Sequence, residues 1–194
     1  MEILYKSEQL VVTVKPVGMD SEHDVPAALQ ELLGGDIFPL HRLDQNVGGV
    51  MVYARTKAAA AILSKAIQDG KMVKEYIARV HGLPPESGDW QDLLWKDSGK
   101  NKVFVVKRER KGVKKARLEF TRLTDADPAT VRIRLHTGRS HQIRVQFASR
   151  GFPLMGDRKY GGRDDLRAPM LYSCCISFPW QQELLRFEKM PDWL

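Results

Sequence analysis

Strand-like segments outnumber helical ones in this chain, and no regular crossover helices separate them. Parallel neighbours in a sheet require such crossovers, whereas antiparallel neighbours need only turns. The pattern therefore predicts an α+β protein with a mixed, mainly antiparallel sheet and flanking helices. Residues 131–136 alternate strictly, with Val131, Ile133 and Leu135 facing a core and Arg132, Arg134 and His136 facing away. Residues 9–14 are rich in β-branched side chains and stop at Lys15-Pro16, where proline removes a ladder donor. Taken alone, Lys15 reads as a surface lysine at a strand end. Residues 50–54, 72–80, 103–106, 115–122 and 170–177 supply further strands. In the 72–80 segment Met72, Tyr76, Ala78 and Val80 share one side, which predicts that Tyr76 points inward.

Three helices are expected. The first is short, with Asp24 as its cap, Pro26 in its first turn and Gly34 at its end. The second runs over 57–69, capped by Thr56, with Ile62, Leu63, Ala66 and Ile67 on its apolar face and Gly70 as its stop. The third begins after Ser140 and runs to about Arg150, with Ile143 and Phe147 on its packing face. No repeat, low-complexity linker or composition break divides the 194 residues, so a single domain, 1–194, is expected.

No segment is long and apolar enough to span a membrane, and the N-terminus lacks the layout of a signal peptide, so a cytoplasmic setting is expected. Cys174 and Cys175 are adjacent, a spacing that suits neither a metal nor a redox motif, and they read as reduced thiols at the end of a strand. The net charge is +7, and it is concentrated. Residues 96–117 hold ten Lys or Arg against two acids, Asp97 and Glu109, a local net of +8. Such a patch attracts polyanions by steering and counterion release. Its pattern is not that of an amphipathic helix, which favours nucleic acid over a membrane surface. Phe104 is the one aromatic in the window, so phosphate contacts are expected there in preference to base stacking.

No pair of histidines or carboxylates shows metal spacing, and phosphate-loop, dinucleotide and serine-hydrolase patterns are missing. A site in this chain is therefore expected to work without metal or cofactor. The stretch 39–49 presents one acid, Asp44, with His41 and Arg42 before it and Gly48-Gly49 after it. An aspartate can attack or stabilise an electron-poor sugar or ring. It can equally cap backbone N–H groups in a turn. The residues alone leave both roles open.

Five stretches in order resemble the RluA-type RNA pseudouridine synthases: residues 12–18 around Lys15-Pro16, His41-Arg-Leu-Asp44, Lys74-Glu-Tyr76, Thr137-Gly-Arg-Ser-His-Gln-Ile-Arg144 and Gly156-Asp-Arg-Lys-Tyr-Gly161. The resemblance covers roughly residues 9–177 and implies the pseudouridine synthase catalytic fold, without an accessory domain of the S4 kind. It implies an isomerase that converts uridine in structured tRNA or rRNA to pseudouridine, with no metal or cofactor and, by default, as a monomer. It makes Asp44 the catalytic aspartate, Tyr76 the residue under the target base and Arg144 the cation paired with Asp44. It makes Arg42 the side chain that enters the space left by a flipped base. His41, Arg139, His141 and Gln142 complete the motif residues expected to meet substrate. The window adds Lys107, Arg108, Arg110, Lys111, Lys114 and Lys115 as RNA contacts. One departure stands out: Val47-Gly48-Gly49 replaces the Thr-Ser-Gly usual in the family. Two other functions fit parts of the sequence. A non-catalytic RNA-binding protein would need the window alone, and an aspartate-dependent nucleoside glycosidase would release free uracil.

Overall fold

A computed structural model describes all residues, 1–194. In chain order the elements are β1 (Ile3–Lys6), β2 (Leu10–Lys15), α1 (Asp24–Leu33), β3 (Phe38–Pro39), β4 (Gly48–Ala54), α2 (Lys57–Gln68), β5 (Val73–Val80), β6 (Ser87–Asp97), β7 (Lys102–Val106), β8 (Val113–Arg122), β9 (Ala129–Leu135), α3 (Gln142–Ala148), a 3₁₀ turn (Arg158–Tyr160), β10 (Leu171–Trp180) and β11 (Glu183–Glu188). The chain divides into two compact units, 1–75 with 172–194, and 76–171. The architecture is α+β, as the strand-rich pattern predicts.

In the first unit β1, β2 and β4 are successive antiparallel neighbours, β3 pairs antiparallel with β4, and β10 pairs antiparallel with β11. The β4–β10 pair is parallel, joining Gly48 to Tyr172 and Gly49 to Ser173. Leu10, Val12, Val50, Val52, Leu63, Ile176 and Phe178 form its core. Helix α2 is capped as expected, its Thr56 Oγ1 accepting from Ala59 N at 3.1 Å. Ile62, placed on the packing face by the sequence pattern, is 53% exposed; Ala59, Leu63 and Ala66 do the packing instead. The start of α1 also differs from expectation. Asp20, not Asp24, receives the backbone N–H groups of Glu22 and His23, while Asp24 accepts from Asp20 N. Both cysteines are buried thiols outside any disulfide, and they lie inside β10 because that strand continues to Trp180.

In the second unit β9, β8, β6 and β7 are antiparallel neighbours in that order. Val131 and Ile133 are fully buried, as the alternation of β9 requires. Trp90, Phe120 and Phe147 pack ring against ring with centroids 4.4–5.3 Å apart. Helix α3 is shorter than expected. It begins at Gln142, after His141 adopts a left-handed φ of 49°, and ends at Ala148. Ile143 and Phe147 are buried, as their spacing predicts.

Gly49 shows how tightly β4 approaches β10. Its φ is +126°, and a Cβ there would lie 2.3 Å from Ser173 O and 2.5 Å from Ser173 N. A side chain would thus meet backbone in a conformation that L-residues avoid. Gly49→Ala is expected to destabilise the protein by about 3 kcal/mol or more. Urea denaturation checks this, and a midpoint unchanged from wild type would contradict the close approach.

Candidate active site

The Asp44 loop lies in the first unit, between β3 and β4. Its backbone is clamped on both sides of the aspartate. On the N-terminal side, Leu43 N donates to Ser21 Oγ at 3.2 Å and Leu43 O accepts from the same hydroxyl at 3.1 Å. Ser21 is buried, and its own carbonyl accepts from Tyr53 Oη at 2.9 Å. On the C-terminal side, Gln45 O accepts from Gly18 N at 2.8 Å and Gln45 Nε2 donates to Gly18 O at 2.9 Å. The carbonyl of Asp44 accepts from Val47 N at 2.9 Å, closing the turn. The side chain of a half-exposed Asp44 is thus presented from an immobilised peptide.

Lys15 completes the clamp. It is not a surface lysine: its exposure is 0%. Its Nζ donates to Pro16 O at 2.9 Å, Met19 O at 2.7 Å and Gln45 O at 3.0 Å. The turn after Lys15-Pro16 wraps these carbonyls around the amine, a geometry that the position at a strand end does not reveal. Burial lowers its pKa to about 8, against the opposing charges of Asp20, Asp44 and Asp24.

His41 is held in the same region, its Nε2 accepting from Val52 N at 3.3 Å. Its Nδ1 is out of solvent and has no hydrogen-bond partner. Burial, helped by the charge of Lys74, pushes its pKa down to about 3, so the ring is neutral at ordinary pH. Arg42 is the opposite case. It is exposed, and its ion pair with Glu22 is long, at 3.5 Å, with both side chains about half in solvent. Such a pair holds a side chain weakly.

The second unit carries the other motif residues. Tyr76, on β5, is 5% exposed, in agreement with the inward side of the alternation. Arg144, on α3, is 7% exposed. Its Nε and Nη2 donate to the two oxygens of Asp157 at 2.6 and 2.8 Å. Asp157 is itself 1% exposed, so this is a buried two-point ion pair that fixes the guanidinium plane. Tyr160 lies beside it, with the Arg144 guanidinium 5.2 Å from its ring centroid. The Tyr160 hydroxyl accepts from Val103 N at 2.8 Å and meets His141 Nδ1 at 2.8 Å. Gln142 organises the preceding turn. Its Oε1 accepts from Thr137 Oγ1 and from Arg139 N, and its Nε2 donates to Arg117 O. Arg139 is exposed and donates from Nε to Lys115 O at 2.9 Å.

The basic window forms an antiparallel arm of β6, β7 and β8. Lys107, Arg108, Arg110, Lys111, Lys114 and Lys115 are all exposed. Sequence reasoning gives no role to Ser21, Asp157 or Tyr160. Asp157 and Tyr160 lie in a motif already singled out, but their partners are at distances in sequence that no local pattern reveals.

A model of the RNA pseudouridylate synthase family matches residues 3–149. A Salmonella typhimurium protein named dual-specificity RNA pseudouridine synthase RluA is 34% identical over 186 residues, covering 87% of this chain and 81% of that protein. An uncharacterized RNA pseudouridine synthase of Aquifex aeolicus is 33% identical over 177 residues, covering 83% of this chain, which spans 56% of the Aquifex protein. The solved structure of human RNA pseudouridylate synthase domain containing 4 shares the fold. It aligns over 99% of this chain and 89% of its own, with a TM-score of 0.83 at 24% identity. The chain belongs to the RNA pseudouridylate synthase family, isomerases that convert uridine in RNA to pseudouridine. Within that family its likeness is to the RluA-type enzymes.

The Lys15 clamp carries a pH signature. Below pH 8 native and unfolded chains both hold the proton. Between pH 8 and the ordinary lysine value of 10.5 the unfolded chain keeps a proton that the native amine has released. Stability contributed by this group therefore rises with pH in that window. The unfolding free energy of wild type relative to Lys15→Met is expected to grow by about 3 kcal/mol between those limits. Parallel pH profiles for the two proteins would show that Lys15 titrates as an exposed lysine.

Proposed function

We propose that this chain isomerises uridine to pseudouridine in structured tRNA or rRNA, with Asp44 as the reacting group. The observation that carries this reading is the loop clamped by Lys15, Ser21 and Gly18, which fixes an aspartate between two anchored peptides. The match of the family model runs through both compact units, and this supports treating 1–194 as one catalytic domain.

The reaction breaks the C–N glycosidic bond, turns the uracil and joins carbon to carbon at the ribose. These atoms are inaccessible in a stacked helix, so the nucleotide must be flipped out. Arg42, exposed and weakly paired, suits the side chain that fills the vacated space. Tyr76 supplies the aromatic surface under the base, and Arg144 the cation that the motif implies for Asp44. Asp157 serves as the positioning residue for Arg144. No metal or cofactor has a role in this scheme. His41 is neutral and packed, and Gln142 is engaged with the Thr137–Arg139 turn, so we assign both, with His141, to shaping the site. Direct phosphate contacts fall to Arg139 and to the cations of the arm. The expected setting is the cytoplasm, and the expected working form is a monomer.

Asp44→Asn should abolish pseudouridine formation in total RNA from cells lacking the protein, at least 10³-fold by order of magnitude, while RNA binding by the purified variant persists. Normal modification by this variant would remove Asp44 from the reaction, and release of free uracil by wild type would mark a glycosidase instead. Charge reversal of Lys107, Arg108, Lys111 and Lys114 should weaken RNA binding and lower the slope of log K against log salt by about 0.7–0.9 for each phosphate no longer neutralised. An unchanged slope would place the phosphate-binding cations elsewhere.

A further inference from the structure

We propose that the outer face of the β6–β7–β8 arm holds an unpaired nucleobase of the RNA substrate, distinct from the uridine being isomerised. The proposal rests on the reading that the substrate is RNA, and adds a subsite to it. Strand register places five apolar side chains on this face. Leu93 lies opposite Val106, and Trp95 lies opposite both Phe104 and Val113. The other face carries Leu94, Val103 and Ala116, which are buried with Val145 of α3. Leu93, Trp95, Phe104, Val106 and Val113 therefore face away from the helix, and each remains half-buried.

The two rings form a platform, with centroids 6.2 Å apart and planes inclined by 32°. Cations surround it. The Arg110 guanidinium sits 4.8 Å from the Trp95 ring centroid, and Lys102 Nζ is 5.8 Å from that of Phe104. Loop 107–112 turns back over the face through Gly112, whose φ is +85°, and through the bond from Val113 N to Arg110 O. The result is a pocket lined by Leu93, Glu109, Arg110, Val113 and Lys115, with Glu109 and Lys115 ion-paired at 3.2 Å.

An aromatic platform on this face, flanked by Arg110 and Lys102 and lying on the same strand face as that pocket, fits one chemistry best, a planar ring carried on a phosphate chain. A base stacked on Trp95 displaces Arg110 from the ring face, and the freed guanidinium then meets the phosphate of the same nucleotide. An acidic peptide would satisfy the rim but leave the rings uncovered. Trp95 lies one residue before the basic window begins, which is why charge alone suggests phosphate contacts without stacking.

The test uses the full chain and two probes, a short single-stranded oligoadenylate and its abasic counterpart of ribose and phosphate only. Trp95→Ala is expected to weaken binding of oligoadenylate about tenfold, with the abasic oligomer bound as by wild type and the salt slope unchanged. Trp95→Phe should recover most of the loss. Phe104→Leu, which keeps an apolar side chain of similar size, gives a second reading should Trp95→Ala fail to fold; it too should lower affinity for the base-bearing probe alone. Equal binding of oligoadenylate by wild type and both variants, or an equal loss for both probes, would overturn the proposal. The Asp44→Asn protein keeps this platform, so binding by that variant tests the subsite independently of whether Asp44 performs the reaction.

Discussion

The buried ammonium of Lys15 is the interaction on which the Asp44 loop depends. An amine with no solvent exposure must find its partners inside the protein. Three carbonyls supply them, two from the turn that Lys15 itself opens and one from Gln45 across the loop. That third bond converts a local turn into a long-range clamp. Ser21 provides the matching hold on Leu43, using both the donor and the acceptor capacity of one hydroxyl. The backbone on both sides of Asp44 is thereby fixed, and Asp20, Asp44 and Asp24 in turn favour the charged form of the amine that burial disfavours. With its pKa near 8, Lys15 remains mostly protonated at neutral pH and places a fixed positive charge close to the aspartate.

The second unit uses paired buried charges to similar effect. Asp92 lies on the inward side of β6, an unfavourable place for an acid. Gln146 Nε2 and both Arg150 Nη atoms donate to it at 2.7, 2.8 and 3.2 Å. The Arg150 guanidinium also lies 4.4 Å from the centroid of the Trp90 ring. Arg144 and Asp157 form the second such pair. Removing one partner of either would leave an uncompensated charge in a dry setting, which is more damaging than the pair itself is stabilising. These contacts, with the bond from Val103 N to Tyr160, tie the base of the arm to α3 and the 3₁₀ turn. The arm's cationic tip, by contrast, stays in solvent.

Much of the framework is legible in the sequence because it follows simple periods. The alternation of β9, the buried side of β5 and the Thr56 cap of α2 each depend on neighbours two to four residues apart. What escapes a sequence reading depends on distant partners. Strand β6 is hidden because Asp92 breaks its apolar alternation, and the groups that neutralise Asp92 lie more than fifty residues away. The helix expected from Ser140 is too long because only the left-handed His141, facing Tyr160, shows where its regular turns begin. Lys15 looks like a surface residue because a strand end is usually exposed, and the carbonyls that bury it come from a turn whose path the sequence does not draw. The motif residues Asp44, Tyr76 and Arg144 are recognisable by likeness to a family. Their supports, Ser21, Asp157 and Lys15, emerge as supports only in three dimensions.

The departure at Val47-Gly48-Gly49 takes on a physical meaning from the same contacts. Loss of two hydroxyls from the usual Thr-Ser-Gly suggests a looser loop. Yet Val47 is 2% exposed, and a Cβ on Gly48 would lie 3.2 Å from Lys15 O and 3.3 Å from Val17 Cγ2. The glycine lets β4 lie directly against the Lys15 turn, closer than a serine would allow without a shift of a few tenths of an ångström. Side-chain hydroxyls at these positions are thus replaced by backbone packing on one residue and apolar burial on another. The loop is held by Lys15 and Ser21 from outside the motif, so the motif itself is free to vary. Rigidity at Asp44 belongs to the turn after β2 as much as to the stretch that contains the aspartate.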